Sequence, residues 1–317
     1  MAQPLVSDEE FIALYKKLAS SKKVAEAIGC SIRSAQGRRS RLERIYGIEL
    51  SCLNHNTGKQ YQSIYTPETR REIQYDFNDG VILAFSDAHY WNDSPTVAHS
   101  ALLTLAKELK PIAIVANGDI FDGASISRHD PLGWSTAPTV KEEIEACTEM
   151  LGQIQKAARG AKRFWNIGNH DLRFSRYIAM QAPQLYGLPN TRLMDYFKEW
   201  NQAWSMRVNE KTMIKHRWHN GIHATYNNIL KSGMQCIVTG HLHRLTVTAW
   251  GDYTGRKWGV DTGTLSEPLG EQFEYLENNP TPWCSGFAVL TYKNGMLLPP
   301  ELVEVINGVA FFRGKPI

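Results

Sequence analysis

The sequence predicts an α/β fold preceded by a small all-α helix-turn-helix domain. Three observations predict it. The first fifty residues show helical apolar spacing punctuated by capping residues. From about Arg71 onward, short apolar runs alternate with longer segments of helical period, the pattern of a sheet covered by helices. Five of those short runs are each followed at once by a cluster of Asp, Asn and His. With 317 residues, 43% of them apolar, the chain has enough material for one large core and a small appended one. The expected division is residues 1–50, a linker over 51–70, and a large domain over 71–317.

Ser7, with Glu10 three residues later, forms a capping box opening an apolar stripe of Phe11, Ile12, Leu14, Tyr15 and Leu18. Ser21 is placed to cap a second, short helix over residues 22–28, which Gly29 ends. Ser31 is placed to cap a third, which runs to about Tyr46 and stops at Gly47. Short helices joined by a tight Gly-containing turn are the outline of a helix-turn-helix. The third helix carries Arg33, Arg38, Arg39, Arg41 and Arg44 against one acid, Glu43, the kind of excess a recognition helix needs to neutralise phosphates. Arg33, Arg38, Arg39 and Arg41 are the candidate DNA contacts, and a symmetric DNA site would be met by a homodimer. A small helical bundle that contacts another subunit or caps the larger domain is the alternative for the same residues.

Residues 51–69 are polar and hold Asn54, Asn56, Thr57, Gly58 and Pro67, the composition of a linker in which His55 is a solvated side chain. Residues 72–77, the turn Asn78-Asp79-Gly80 and residues 81–85 read as a hairpin leading into a core strand. A helix over 97–109, a strand over 112–116, a helix over 140–158 and a strand near 164–167 follow. Shorter strands are expected near 212–215 and 235–239, with a helix over 224–231 between them. In the last third, Asp252-Tyr253-Thr254-Gly255 and Lys293-Asn294-Gly295 are hairpin signals, which suggests a mixed second sheet.

The formal charge of +3 is nearly balanced, so nucleic-acid binding would have to come from local clustering. The five cysteines are scattered and never spaced as C-x-x-C, against a disulfide framework or a zinc ribbon and in keeping with a reducing compartment. Acidic residues from Asp8 interrupt any apolar signal core, and no apolar run is long enough to span a bilayer. The expectation is a cytoplasmic protein without a membrane partner.

The five clusters are Asp87-Ala88-His89, Gly118-Asp119-Ile120-Phe121-Asp122, Gly168-Asn169-His170-Asp171, His216, and Gly240-His241-Leu242-His243. Sites in open α/β sheets form beyond the carboxyl ends of the strands, so clusters at five strand ends would converge on one crevice. Hydrolysis of a phosphate ester requires neutralising anionic oxygens and supplying hydroxide near neutral pH, and two divalent ions about 3.5–4 Å apart do both. Imidazole and carboxylate donors suit manganese, zinc or iron.

The order D-x-H, G-D-x-x-D, G-N-H-D, H, G-H-x-H resembles that of the calcineurin-like metallophosphoesterases, over roughly residues 71–305. The resemblance implies a four-layer α-β-β-α sandwich with two divalent metal ions at one end, manganese first, with zinc, iron, magnesium and nickel as alternatives. It implies that Asp87, His89 and His243 hold one ion, that Asn169, His216 and His241 hold the other, and that Asp119 bridges them. It gives His170 the role of binding phosphate and protonating the leaving alkoxide, with Asp171 or Asp122 orienting it and Arg173 available to the substrate. His216 competes with His219 for the fourth position, whereas His99, His129 and His223 read as packed or solvated side chains. A phosphoesterase joined to a helix-turn-helix also resembles proteins carried by bacteriophages and prophages. Together these features predict a DNA-directed phosphodiesterase. The alternatives are a phosphatase or cyclic-nucleotide phosphodiesterase, and a non-catalytic DNA-binding regulator.

Overall fold

The structure, a computed structural model, describes residues 6–48, 50, 70–91, 94–128, 137–185 and 187–317. The expected linker up to residue 69, with His55, and also His129, lie outside the described residues. The chain divides into two compact units, residues 1–68 and 69–317.

The first unit contains three helices, α1 (Asp8–Leu18), α2 (Ser21–Ile28) and α3 (Ile32–Tyr46). Ser7 and Glu10 form the expected reciprocal capping box on α1. The cap of α2 is Ser20, not Ser21, because the left-handed Ala19 ends α1 one residue earlier and leaves the Ser20 hydroxyl facing the Lys23 amide. Gly29 and Gly47 close α2 and α3 in the left-handed conformation that only glycine adopts cheaply. Phe11, Tyr15, Val24, Ala25, Ala35, Leu42 and Leu50 form the core of this unit. Arg38 closes it from the outside: its guanidinium donates to Asp8 at 2.7 Å and to the Val6 carbonyl at 2.7 Å, and lies over the Phe11 ring.

The second unit is a mixed α/β fold. Its strands, in chain order, are β1 (Ile73–Tyr75), β2 (Gly80–Phe85), β3 (Ala113–Ala116), β4 (Lys162–Asn166), β5 (Asn201–Ala203), β6 (Ser205–Val208), β7 (Thr212–Lys215), β8 (Cys236–Thr239), β9 (Thr246–Asp252) and β10 (Gly255–Asp261). They continue with β11 (Gly286–Lys293), β12 (Met296–Leu297), β13 (Glu301–Ile306), β14 (Val309–Phe312) and β15 (Lys315–Pro316). The helices are α4 (Val97–Leu109), α5 (Val140–Ala157), α6 (Leu172–Gln181) and α7 (Ala224–Ser232).

Among the described residues, β15-β14-β13-β11-β2-β3-β4-β5 form one sheet, with β12 paired to β11, and β1-β6-β7-β8-β10-β9 form the other. Strands β2, β3, β4 and β5 run parallel. Ile82, Ala84, Val115 and Phe164 on the first sheet meet Met206, Val208, Ile214, Val238 and Val260 on the second in one apolar layer. Leu83, Phe85, Ile114 and Trp165 point the other way, into Leu102, Leu105, Met150, Leu151 and Ile154 of α4 and α5. Helix α7 covers the second sheet, and Gly259 permits this because a Cβ there would strike the Thr225 carbonyl. The layers are thus α-β-β-α. A strand buried on both faces has no polar alternation, which is why β2 and β3 read as continuous apolar runs.

One expectation about pairing fails. The segments before and after Asn78-Asp79-Gly80 are not a hairpin: β1 pairs with β6 in one sheet, and β2 pairs with β3 and β11 in the other. Both edges of β2 are taken, so the turn carries the chain between sheets, held by the Asn209 side chain against Phe77 and Gly295. The second sheet is mixed, as the hairpin signals suggest, and the C-terminal hairpins are divided between the two sheets. The β9–β10 hairpin extends the second sheet, whereas β11 to β15 extend the first. The two-residue Asn294-Gly295 turn, with φ of 50° and 74°, joins β11 to β12 as its sequence suggests.

Glu143 on α5 is fully buried, and its two oxygens accept from the Gly123 and Ala124 amides at 2.5 and 2.9 Å. Burial and then the Asp122 charge push this carboxyl up to about 8, against the pull of those amides. Between its ordinary value of 4.5 and about 8, the folded form holds a proton that the unfolded form has released. The stability Glu143 contributes is therefore full below the lower value and is lost as pH rises through the upper one. Melting temperature should fall from about pH 5.5 to about pH 8.5 more steeply in the wild type than in Glu143→Gln. Parallel profiles in the two proteins would show that Glu143 is not the group responsible.

Candidate metal centre

Each of the five clusters follows a strand, but the strands come from both sheets. Asp87 follows β2, Asp119 follows β3 and Asn169 follows β4, all in the first sheet; His216 follows β7 and His241 follows β8 in the second. Phe85, Ala116 and Trp165 share a register across the first sheet, as do Ile214 and Val238 across the second, so the strand ends arrive together.

Asp87, His89, Asp119, His216 and His243 are all buried to 5% exposure or less, so these polar side chains have lost water and need partners. Their donor atoms converge. Asp87, His89 and His243 form one group whose ligand atoms lie within 4.8 Å of one another. Asp119, His216 and His241 form a second, and His89, Asp119 and His170 a third that links the two. His89 Nε2, His216 Nε2 and Asn169 Oδ1 are buried and lack a hydrogen-bond partner among the described residues. His216 Nε2 is 3.0 Å from Asp119 Oδ2, yet outside hydrogen-bond geometry, the relation of two atoms that face a common third partner. Buried imidazole, carboxylate and amide donors left in this state fit two divalent cations.

The electrostatics point the same way. Burial alone would push His216 down, but the charges of Asp119 and Asp87 outweigh it and lift the ring to about 10. Burial would raise Asp87 and Asp119, but the facing imidazoles hold Asp87 down at about 2 and Asp119 well below the usual carboxylate range. In this centre the cationic His216 ring stands in for part of the positive charge a metal pair would bring.

The backbone is shaped for this convergence. Asp87, His89, Asp119, His241 and His243 all have positive φ, between 42° and 72°. Left-handed backbone costs a non-glycine residue about 1–2 kcal/mol, and hydrogen bonds across the crevice offset it. The Asp87 amide donates to Gly118 O, the His89 amide to Asp119 O, and the His241 amide to Asp87 Oδ2. The glycines of the motifs have a steric reason. A Cβ on Gly118 would lie 2.5 Å from the His216 ring, one on Gly168 would overlap the Asp119 carboxylate, and one on Gly240 would overlap Ser86 and Asp87.

Asp171 and Asp122 divide the work that the sequence left open between them. Among the described residues the His170 ring bonds to Asp122 and Arg173, whereas Asp171 is turned to the backbone. Its carboxylate accepts from the amides of Asp119, Ile120, Phe121 and Gly168 and from the Trp165 indole, at 2.8 to 3.3 Å. Asp122 Oδ1 instead accepts from both His89 Nδ1 at 2.8 Å and His170 Nδ1 at 2.9 Å. Arg173 donates to the Asp122 carbonyl and to His170 Nε2. Burial would push His170 down, but the bond to Asp122 and the charges of Asp119 and Asp122 leave it raised.

Of the competing histidines, His216 sits in the cluster, while His219 stacks on Trp218 with centroids 4.8 Å apart. His99 is buried against the Tyr90 hydroxyl, and His223 precedes α7. Several residues here carried no sequence signal. Trp165 and Asn117 look like ordinary strand residues, although the Asn117 carbonyl accepts from His216 Nδ1 at 2.8 Å. Thr264 lies far along the chain, yet its hydroxyl donates to the Asp87 carbonyl at 2.6 Å.

In the first unit, Arg38 and Arg41 pair with Asp8, and Arg39 with Glu43. Arg38 and Arg39 are only partly exposed, whereas Arg33, Arg41 and Arg44 are exposed.

Gly168→Ala should therefore lower retention of Mn2+ by about tenfold or more, since displaced supporting groups commonly cost that much. Gly152→Ala, in α5 with nothing within 4 Å of its Cβ, should keep wild-type retention and melt slightly higher. Metal content after dialysis, by elemental analysis, is the measurement, and equal retention by both variants would contradict the steric role of Gly168.

No curated protein matches the chain. Among solved structures it is similar to Vacuolar Protein Sorting 29 from Cryptosporidium parvum, with 11% identity and a TM-score of 0.42 over 76% of this chain and 99% of that one. It is also similar to a metallophosphoesterase from Sphaerobacter thermophilus, with 13% identity and a TM-score of 0.37 over 71% and 88% of the two chains. A third is Yfce, a phosphoesterase from E. coli, with 14% identity and a TM-score of 0.32 over 69% and 97%. No helix among the described residues is long and apolar enough to cross a membrane. Residues 80–245, more than half of the chain, match the calcineurin-like phosphoesterase family, to which this chain therefore belongs.

Proposed function

We propose that this chain is a two-metal phosphodiesterase that acts on DNA. The observation that carries the phosphoesterase part is the convergence of two largely buried ligand groups, linked through His89 and Asp119. Asp87, His89 and His243 would hold one divalent cation, manganese first among the candidates, and Asn169, His216 and His241 the other. Asp119, which belongs to groups on both sides, would be shared because its two oxygens can serve two cations. When bound there, such a pair supplies charge neutralisation at the phosphoryl oxygens and a nucleophile at neutral pH.

The residues around the centre would bind the ester and move its proton. Arg173 donates to His170 Nε2, so this nitrogen accepts and the ring proton sits on Nδ1, facing Asp122. A substrate phosphate that draws Arg173 onto its oxygens frees Nε2 to take up a proton. Asp122 stabilises the resulting imidazolium, and the Nε2 proton passes to the leaving alkoxide as its bond to phosphorus breaks.

The DNA part is supported by α3. With Arg38 and Arg39 turned to their own unit, the exposed Arg33 and Arg44, and Arg41 beside Asp8, are the groups available to phosphates. Tethering such a module to a phosphodiesterase raises the local concentration of the nucleic acid.

A screen of the full chain in Mn2+ against a chromogenic bis-ester, a mono-ester, cyclic nucleotides, and single- and double-stranded DNA tests both parts. Hydrolysis of the bis-ester and DNA, lost in EDTA, is the expected result. Turnover of the mono-ester or cyclic nucleotides alone would replace DNA with a small-molecule substrate. Arg33→Ala with Arg44→Ala should weaken DNA binding and flatten its log–log salt dependence by about 2. DNA affinity and salt dependence equal to wild type would remove α3 from the reading.

A further inference from the structure

An aromatic wall stands over the His89–His243 side of the centre, built from a segment beyond the family-matched residues. The chain leaves β10 at Asp261 and returns to β11 at Gly286. Both ends of this excursion are tied to the centre's own backbone. The Thr264 hydroxyl donates to Asp87 O at 2.6 Å and the Leu265 amide to Ser86 O at 3.0 Å; the Cys284 amide donates to His243 O at 2.7 Å. Between these anchors a short 3-10 helix (Glu271–Leu276) presents Phe273 and Tyr275, and Trp283 follows before the return.

The three rings run outward from the ligands. Trp283 lies 4.4 Å from the His243 ring, and Phe273 lies 5.4 Å from His89 and 4.9 Å from Trp283, centroid to centroid. Tyr275 is 6.4 Å from Phe273, is 61% exposed, and is close enough to Asp122 and Arg173 for their charges to act on its hydroxyl. Packing explains Phe273, which is buried. It does not explain a tyrosine ring left in water at the edge of a polar, phosphate-binding centre, continuous with two further rings. Single exposed apolar groups are ordinary, but this exposed ring is joined through buried Phe273 to Trp283 and the His89 ring, so it is held in place at the reaction centre.

We propose that Tyr275, with Trp283 and Phe273 behind it, is a stacking subsite for the nucleobase next to the scissile phosphate. The inference rests on the phosphodiesterase reading above and adds a requirement to it. The base must be free to leave its neighbours, so the substrate is single-stranded DNA rather than the interior of an intact duplex. Every base offers a π-face, so such a subsite takes any sequence. Cationic Arg173 near Tyr275 complements the phosphate of the same nucleotide.

The test compares a thymidine trinucleotide with its counterpart carrying a central abasic residue. Binding to the full chain is read by fluorescence anisotropy, and cleavage in Mn2+ by chromatography. Stacking on one aromatic side chain favours a nucleotide that carries its base, so wild type should prefer the base-bearing substrate by about tenfold in both readouts. Tyr275→Ala should collapse that preference, and Tyr275→Phe, which keeps the ring, should restore it; Trp283→Leu should reduce it independently. A preference near one in wild type, or one that survives Tyr275→Ala, overturns the subsite. Cleavage without discrimination removes the subsite and leaves the phosphodiesterase standing. Discriminating binding that Tyr275→Ala abolishes, without cleavage, does the reverse.

Discussion

The site depends on the buried carboxylate of Asp171. Five N–H donors from two loops and one strand end on its two oxygens. Four of the donors are backbone amides, so the interaction sets the path of the chain rather than the position of one side chain. The loop after β3 carries Asp119, and the loop after β4 carries Asn169 and His170; Asp171 fastens each to the other. Buried amides need acceptors, and a buried carboxylate needs several donors, so each group meets the other's requirement at once. Burial and the Asp119 charge still push Asp171 up to about 6 against the pull of Gly168 and Trp165. The Asp119 charge, which adds to the effect of burial in this shift, is one that a metal pair would neutralise.

The backbone around the ligands is strained for a related reason. Five ligand-type side chains must be aimed at one small volume from strands of two sheets, and ordinary extended or helical backbone would splay them. Left-handed Asp87, His89, Asp119, His241 and His243 turn the chain sharply enough, and the glycines beside them leave room for the carboxylates and rings that arrive. Strain held by a hydrogen-bonded surround is the condition under which a site stays preorganised. Asp122 extends that surround by holding His89 and His170 on one oxygen, so a candidate ligand ring and the proposed acid share a single anchor.

Much of this was legible in the sequence because the responsible interactions are short in range. Helix α1 shows its capping box, α4 and α5 show their period, and β2 and β3 show the unbroken apolar runs of strands covered on both faces. The D-x-H, G-D, G-N-H-D and G-H-x-H clusters stand out since ligand types and their glycines sit side by side. Pairing was less legible. Asn78-Asp79-Gly80 carries a turn signal, but a turn does not say which strand its arms will pair with, and here they part to different sheets. In the same way the arginines of α3 are visible as a basic run, whereas their division between Asp8, Glu43 and solvent depends on how three helices pack.

The sequence by itself determined the α/β class, many of the elements and most of the candidate metal-holding side chains, because composition, period and motif spacing are local properties of the chain; α6, β5, β6 and the choice between His216 and His219 lay beyond it. Only the tertiary structure decided how those side chains are used. Which of Asp122 and Asp171 meets His170, how Arg173 sits on His170 Nε2, and which rings stand over His89 and His243 depend on contacts between segments up to 184 positions apart, such as Phe273 and His89. Contacts of that separation are set by sheet register and by the packing of both sheets against each other, and neither leaves a periodic trace in the residues themselves.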